Sequence, residues 1–303
     1  MISFKQFTKQ GRLGNQLFQY AFLRSTARRL GVKFYCPAWI GDKVFPLNDS
    51  SEREQRCLGI ERTYHQPNGQ ICFSEDALGI QDHTDIQGYF QTEKFYQDKD
   101  EVRRWYAFKD EVIGPARSKY QDIDFSRSVG LHLRLGDWIP PRGRVYHRYI
   151  PRLSYYVSAL AKMKHKEDIL VFSDDMVKVR GYFRSLKGKV IFMEGNKDYE
   201  DLYLMSRCHD FISSPSTLSW WAAWLNPYRD RRIIVPKEGP LRCGRQFKRY
   251  ALKNYWPKGY LQIRSLRPLL DNYYFALFRE KVMSKATSLR KSLEKIRDIP
   301  PCA

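Results

Sequence analysis

Between residues 128 and 236 the chain repeats one pattern, a short apolar run followed by a segment whose apolar positions step by three or four. The runs at 129–134, "DILVFSDD", "KVIFM", "DFISS" and "RIIVP" read as buried strands. The segments 152–164, 176–186, 199–207 and 217–225 read as helices packed on them. Five strands alternating with helices predict a parallel, doubly wound sheet. Residues 1–40 resemble a further loop, helix and strand unit. There Leu17, Tyr20, Ala21, Leu23 and Ala27 recur at helical spacing, Gly31 ends the helix, and "VKFYCPA" supplies the strand. Residues 48–85 are polar and less regular. A short strand near Ile86 leads through Gly88 into a helix around 92–107, and the charged stretch 108–127, with Gly114 and Pro115, reads as a linker. From 264 to 298 Phe275, Phe278, Val282, Ala286, Leu289, Leu293 and Ile296 line one face of a helix, and nine Lys or Arg against four acids give it a net +5. Such a helix packs on its own protein or lies on an anionic membrane, and the two uses can coexist.

The full chain of 303 residues has room for two domains of ordinary size. Its 53 Lys and Arg against 33 Asp and Glu give +20, a balance that attracts nucleotides, polyanions or acidic membrane surfaces. Six cysteines, at 36, 57, 72, 208, 243 and 302, form no C-x-x-C pair, so neither a zinc site nor a redox motif is indicated and free thiols are expected. The start "MISFKQFTKQ" has no apolar region behind its lysines, and no run of 18 apolar residues occurs. The expected location is the cytoplasm, with peripheral contact at the inner face of a membrane.

Four stretches carry candidate chemistry. In "VGLHLRLGDW" (129–138) an apolar run breaks into His132, Arg134 and Asp137, with Gly136 permitting a turn. The carboxyl end of a parallel strand is where α/β sheets bind ligands, and these groups suit an anionic or polar one. An Arg–Asp pair closing the turn is the plainer reading. "VFSDD" (171–175) ends the next strand on Ser173, Asp174 and Asp175. Adjacent carboxylates bind a divalent cation, cap the following helix, or accept from a ligand's N–H groups. No third ligand stands at a set spacing, so metal is the weakest of these. "FISSPSTLSWWAAWLN" (211–226) places Ser216, Thr217 and Ser219 at a helix start, where unpaired N–H groups and hydroxyls make a phosphate cradle. Capping explains one serine and leaves the rest over, while Trp220, Trp221 and Trp224 suit the core. "GRLGNQ" (11–16) offers Gly14 for close backbone approach and Arg12 and Asn15 as donors, without forming a G-x-G-x-x-G fingerprint. Three of these stretches end strands of one half and the fourth opens the other half, which predicts one site in a cleft between two domains.

Five motifs in order, "GRLGNQLFQYAF", "IQGYFQTEKFY", "HLRLGD", "FSDD" and "DLYLMSRCHDFISSPSTLSWWAAWLNP", span residues 11–227 and resemble those of the α-1,2-fucosyltransferases, glycosyltransferase family 11. The resemblance implies a GT-B-type α/β fold, two Rossmann-like domains facing each other across a cleft. Residues 1–115 would form the acceptor-side domain, 128–260 the GDP-sugar-binding domain, and 264–303 the basic helix. It implies inverting, metal-independent transfer of fucose from GDP-fucose, with no cofactor, to a glycan hydroxyl, the galactose 2-OH of an oligosaccharide or lipid-linked acceptor. By the family's pattern His132 would contact the nucleotide and Arg134 the diphosphate. Asp174 or Asp175, beside Ser173, would take the guanine or ribose, and Ser216, Thr217 and Ser219 the phosphate. Gly14 and Asn15 would face the donor from the first domain. Arg134 then stabilises the leaving group, while Asp137 is either the base or only a salt-bridge partner of Arg134.

Departures from the pattern are visible. Where H-x-R-R-G-D is usual, the second arginine is Leu135; G-G-L-G is Gly11-Arg12-Leu13-Gly14; and N-S-S-F-S is Pro215-Ser216-Thr217-Leu218-Ser219. A lone arginine in H-L-R-L-G is similar to the protein O-fucosyltransferases. Two rivals stand beside this reading. One is another nucleotide-sugar transferase of the same fold. The other is a nucleic-acid-binding protein, for which the stretch 229–253, with nine basic residues against two acids, is the evidence. The charge is better assigned to an anionic membrane than to nucleic acid.

Overall fold

The computed structural model describes residues 1–9, 11–67, 73–135, 151, 153–163, 168–183, 190–237 and 254–264. Two parallel sheets organise them. The first contains β1 (Ile2–Ser3), β2 (Phe34–Tyr35), β3 (Arg62–His65) and β4 (Thr84–Gln87) in the order β2-β1-β4-β3. The second contains β5 (Ser128–Leu133), β6 (Asp168–Ser173), β7 (Val190–Phe192), β8 (Asp210–Ile212), β9 (Ile233–Pro236) and β10 (Leu261–Ile263) in the order β10-β9-β8-β5-β6-β7. The helices are α1 (Leu13–Leu30), α2 (Gly41–Val44), α3 (Lys99–Trp105), α4 (Asp110–Lys119), α5 (Leu153–Leu160), α6 (Met176–Phe183), α7 (Asp198–Arg207) and α8 (Thr217–Leu225). This is the two-sheet α/β architecture expected of a GT-B fold. No described helix is long and apolar enough to cross a membrane.

In the second sheet β5, β6 and β7 progress to one side while β8, β9 and β10 progress to the other. The order therefore reverses between β5 and β8, paired with Leu131 opposite Ile212, and a crevice opens beyond their carboxyl ends. Sequence periodicity captures five of these strands. The sixth, β10, returns from beyond residue 254 to pair with β9.

α1 ends as expected. Gly31 is left-handed at φ 66°, and Val32 N–H donates to Ala27 O at 3.0 Å, so the last carbonyls are satisfied. The helix is buried on more than one face, because Tyr20 and Leu23 are buried in the same core as Phe18 and Phe22, and Phe18 meets α8. Its ring lies 4.5 Å from Trp220 and 4.8 Å from Trp221. Each tryptophan of α8 finds an acceptor for its indole N–H. Trp221 donates to Gly14 O (3.1 Å), Trp220 to Tyr255 O (2.8 Å) and Trp224 to Glu93 Oε2 (2.8 Å). One apolar core thus runs from β1 and α1 through α8 to one face of the second sheet, and a separate cluster under α5 covers the other face.

Three expectations need correction. Residues 108–127 are no plain linker, since α4 forms there and buries Ile113 and Ala116 beside α7. Packing outweighs the helix-breaking cost of Pro115, roughly 3 kcal/mol. The helix expected over 92–107 is a 3-10 turn at Glu93–Phe95 followed by α3. The irregular region 48–85 contains β3, an edge strand of mostly exposed residues and so without an apolar signature.

Candidate active site

The site is built at the β5/β8 reversal. His132, on the last turn of β5's pleat, is buried, and its Nδ1 lies 2.7 Å from Ser214 Oγ, just past the end of β8. Burial, and after it the neighbouring Arg134 cation, hold the imidazole pKa well below its usual value, so the ring is neutral. Arg134 follows two residues later, mostly buried, with Nε 3.0 Å from Asp174 Oδ2. The other oxygen of Asp174 accepts from the Leu135 N–H at 2.8 Å. One carboxylate from the end of β6 therefore grips both the guanidinium and the backbone that carries it, and fixes the cation at the crevice.

Asp175 does a different job. Its Oδ1 accepts from Lys178 N at 3.2 Å, Lys178 Nζ pairs with its other oxygen, and its own N–H donates to Ser173 Oγ at 3.1 Å. These contacts make it the N-terminal cap of α6, and the lysine holds its pKa low.

Two helix starts meet at the same edge. Gly14, in the first turn of α1, abuts the first turn of α8, where a Cβ on it would lie 2.4 Å from Leu218 N and 2.6 Å from Thr217 Oγ1. Neither helix has a side-chain cap on its N-terminal N–H groups: Arg12 and Ser216 occupy the cap positions without such a bond. Ser216 instead lends its carbonyl to Trp220 N–H at 2.9 Å. The positive ends of two helix dipoles are thus brought together, an arrangement that an anion relieves. Ser219 points the other way. Its Oγ accepts from Ser214 N–H (3.2 Å) and meets Ser213 Oγ (2.9 Å), so it braces the loop. Asn15 Oδ1 accepts from Gln91 Nε2 at 2.9 Å, tying α1 to the loop after β4.

Beyond Asp174 lies a cavity of about 270 Å³ lined by Ser173, Met176, Met193, Asn196 and Asp201, among others. Asn196 is oriented by its neighbours: Lys119 Nζ and Tyr120 OH both donate to its Oδ1 at 3.2 Å, and its Nδ2 donates to Asp201 Oδ1 at 2.9 Å. Burial pushes the Asp201 carboxyl up to about 7. Asp201, Asn196 and Ser214 were not legible as site residues. An acid in the first turn of a helix reads as a dipole partner, and nothing local marks Asn196, in the loop before α7, as its neighbour.

The structure thus brings His132, Arg134, Asp174, Ser216, Thr217 and Gly14 to one edge and leaves Asp175 on a helix cap. Asp137, most of 229–253 and the helix expected at 264–303 lie outside the described residues.

Known proteins resemble this chain in sequence. It is 31% identical over 282 residues to the O-antigen biosynthesis glycosyltransferase WbnK of Escherichia coli, covering 75% of this chain and 92% of the relative. It is 24% identical to an alpha-1,2-colitosyltransferase of Escherichia coli (75% and 89% covered), and 25% identical to the mouse galactoside 2-alpha-L-fucosyltransferase Sec1 (71% and 62% covered). The model of glycosyl transferase family 11 matches residues 3–256, which include strands β2 to β9 and the crevice at the β5/β8 reversal. The chain belongs to glycosyltransferase family 11.

Proposed function

We propose that this glycosyltransferase moves fucose from GDP-fucose to a glycan hydroxyl, the galactose 2-OH, with inversion and without a metal. The observation that carries the reading is the meeting of strand ends and helix starts at one edge: Arg134 pairs with Asp174, His132 with Ser214 just before α8, and the start of α8 abuts Gly14 in the first turn of α1. As the C1–O bond to the β-phosphate breaks, its electron pair passes to the diphosphate. Arg134 and the N–H groups of α8 stabilise that charge, the work a divalent cation does in other sites. The sugar carbon gains oxocarbenium character, and the acceptor oxygen attacks its opposite face. The acceptor's proton goes to a base, for which Asp137 is the residue to test: D137N lowers kcat if the carboxylate takes the proton and leaves it unchanged if water does.

The cavity beyond Asp174 supports guanine as the base. Guanine presents N1–H and N2–H2 side by side as donors and O6 as an acceptor. An ionised Asp201 accepts the first pair, and the second amide hydrogen of Asn196 meets O6. Adenine and uracil offer no such pair of donors. The colitosyltransferase relative names the second sugar to test, colitose.

Thermal stabilisation at fixed salt with EDTA tests the reading. GDP and GDP-fucose raise the melting temperature, while UDP-galactose and CMP do not. No response to any guanine nucleotide, with a shift on adding oligonucleotide, overturns it in favour of nucleic-acid binding.

A further inference from the structure

Three serines next to His132 form a closed ring of hydrogen bonds. Ser214 N–H donates to Ser219 Oγ (3.2 Å), Ser219 Oγ meets Ser213 Oγ (2.9 Å), and Ser213 Oγ donates to Ser214 O (2.9 Å). Ser213 donates its one hydroxyl proton to the Ser214 carbonyl, so the proton between the Ser213 and Ser219 hydroxyls belongs to Ser219. All three side chains are buried, and the ring fixes both ends of the Ser214 residue. The Ser214 hydroxyl itself stays outside the ring. Its partner is His132 Nδ1 at 2.7 Å.

A neutral imidazole carries one proton, on one nitrogen or the other. Nδ1 is, among the described residues, the one acceptor within reach of the Ser214 hydroxyl proton, so Nδ1 would supply its lone pair and the ring proton would sit on Nε2. Among the described residues Nε2 meets no protein acceptor, and the Arg134 cation stands close enough to the ring to act on it.

We propose that Ser214 is a positioning residue that locks His132 in the neutral Nε2–H tautomer, making it an uncharged donor to a diphosphate oxygen of the donor sugar nucleotide. The ligand rests on the function proposed above; the tautomer does not. Such a ring is no base for the acceptor's proton, because its lone pair is taken by the Ser214 hydroxyl and its other nitrogen already holds a proton. The charged groups that face the ring are Arg134, which disfavours a second proton, and Asp174, which favours one, and burial adds to the former.

Long-range proton–nitrogen NMR of the labelled full chain reads this directly, with the His132 signals assigned by their loss in H132N. In the native chain Nδ1 gives the shift of an unprotonated nitrogen and Nε2 that of a protonated one, unchanged between pH 6 and 8. S214A mixes the two tautomers and lowers kcat about tenfold, with a smaller change in KM for the donor. S214T, which keeps the hydroxyl, restores the Nε2–H form. A native ring protonated at Nδ1, an imidazolium in this pH range, or an unaltered tautomer in folded S214A each overturns the proposal. If the tautomer is as stated but GDP fails to bind, the donor assignment falls and the role of Ser214 stands.

Discussion

Arg134 is the residue on which the leaving-group chemistry turns. R134A is expected to lower kcat about 10²-fold or more, the loss typical of removing a preorganised charge partner from a transition state. Steady-state kinetics at saturating donor measures it, and near-normal turnover excludes the role. Asp201 makes a separate prediction. Its pKa is raised from 3.8 to about 7 by burial, so the folded chain binds this proton more tightly than the unfolded one. The sign follows: stability is greatest below pH 4 on this account and falls as pH rises towards 7, where the buried carboxyl must ionise. D201N removes the term. Its unfolding free energy should gain on the native chain between pH 4 and 7, by at most about 4 kcal/mol, and the same variant should lose its preference for GDP over IDP. Urea unfolding at pH 4 and 7.5 separates the two chains; parallel curves mean that Asp201 is not buried. Arg134 and His132 were legible because an apolar alternation broke on polar groups at a strand end. Asp201 was not, since its partner Asn196 lies in the loop before α7 and is itself held by Tyr120, just past the end of α4.

Among the elements, α1 and α8 decide the geometry of the site. Gly14 reads in the sequence as a residue clearing space for a ligand, but what it clears space for is the backbone of α8. G14A gains up to about 1 kcal/mol of helix propensity. It also drives a methyl group to within 2.4 Å of Leu218 N, which cannot swing aside as a side chain would. Overpacking of this kind costs typically 1–3 kcal/mol, so the net effect is a lower melting temperature and weaker nucleotide binding together. Calorimetry with and without GDP tests it, and an unchanged or raised melting temperature refutes the close contact. The helices and five strands of the second half could be read directly, because periodicity survives wherever an element buries an apolar face. β1 and β3 could not. Two residues hold no period, and β3 exposes three of its four residues. α4 was concealed by Pro115, whose local cost is overridden by packing that only the tertiary fold supplies.

At the scale of the molecule, the two sheets are not independent bodies. Phe18, Tyr96 and Tyr106 from the first half and Trp220, Trp221 and Trp224 from the second share one aromatic cluster. Unfolding should therefore be a single transition, with tryptophan fluorescence and far-ultraviolet circular dichroism coincident in denaturant. Two resolved transitions would show halves that melt separately. The fold class followed from the alternation of strands and helices, whereas this fusion did not, because a tryptophan-rich helix looks the same whether it packs within one layer or rivets two. The rivet has a calorimetric consequence. An enzyme that shuts two lobes over its donor hides much apolar surface of its own, and its heat capacity drops steeply on binding. Halves already joined through buried indole rings have little left to hide, so GDP should bind with a heat-capacity change set by the nucleotide's surface and the walls it touches. The recognition energy is then spent on the diphosphate and base instead of on bringing lobes together.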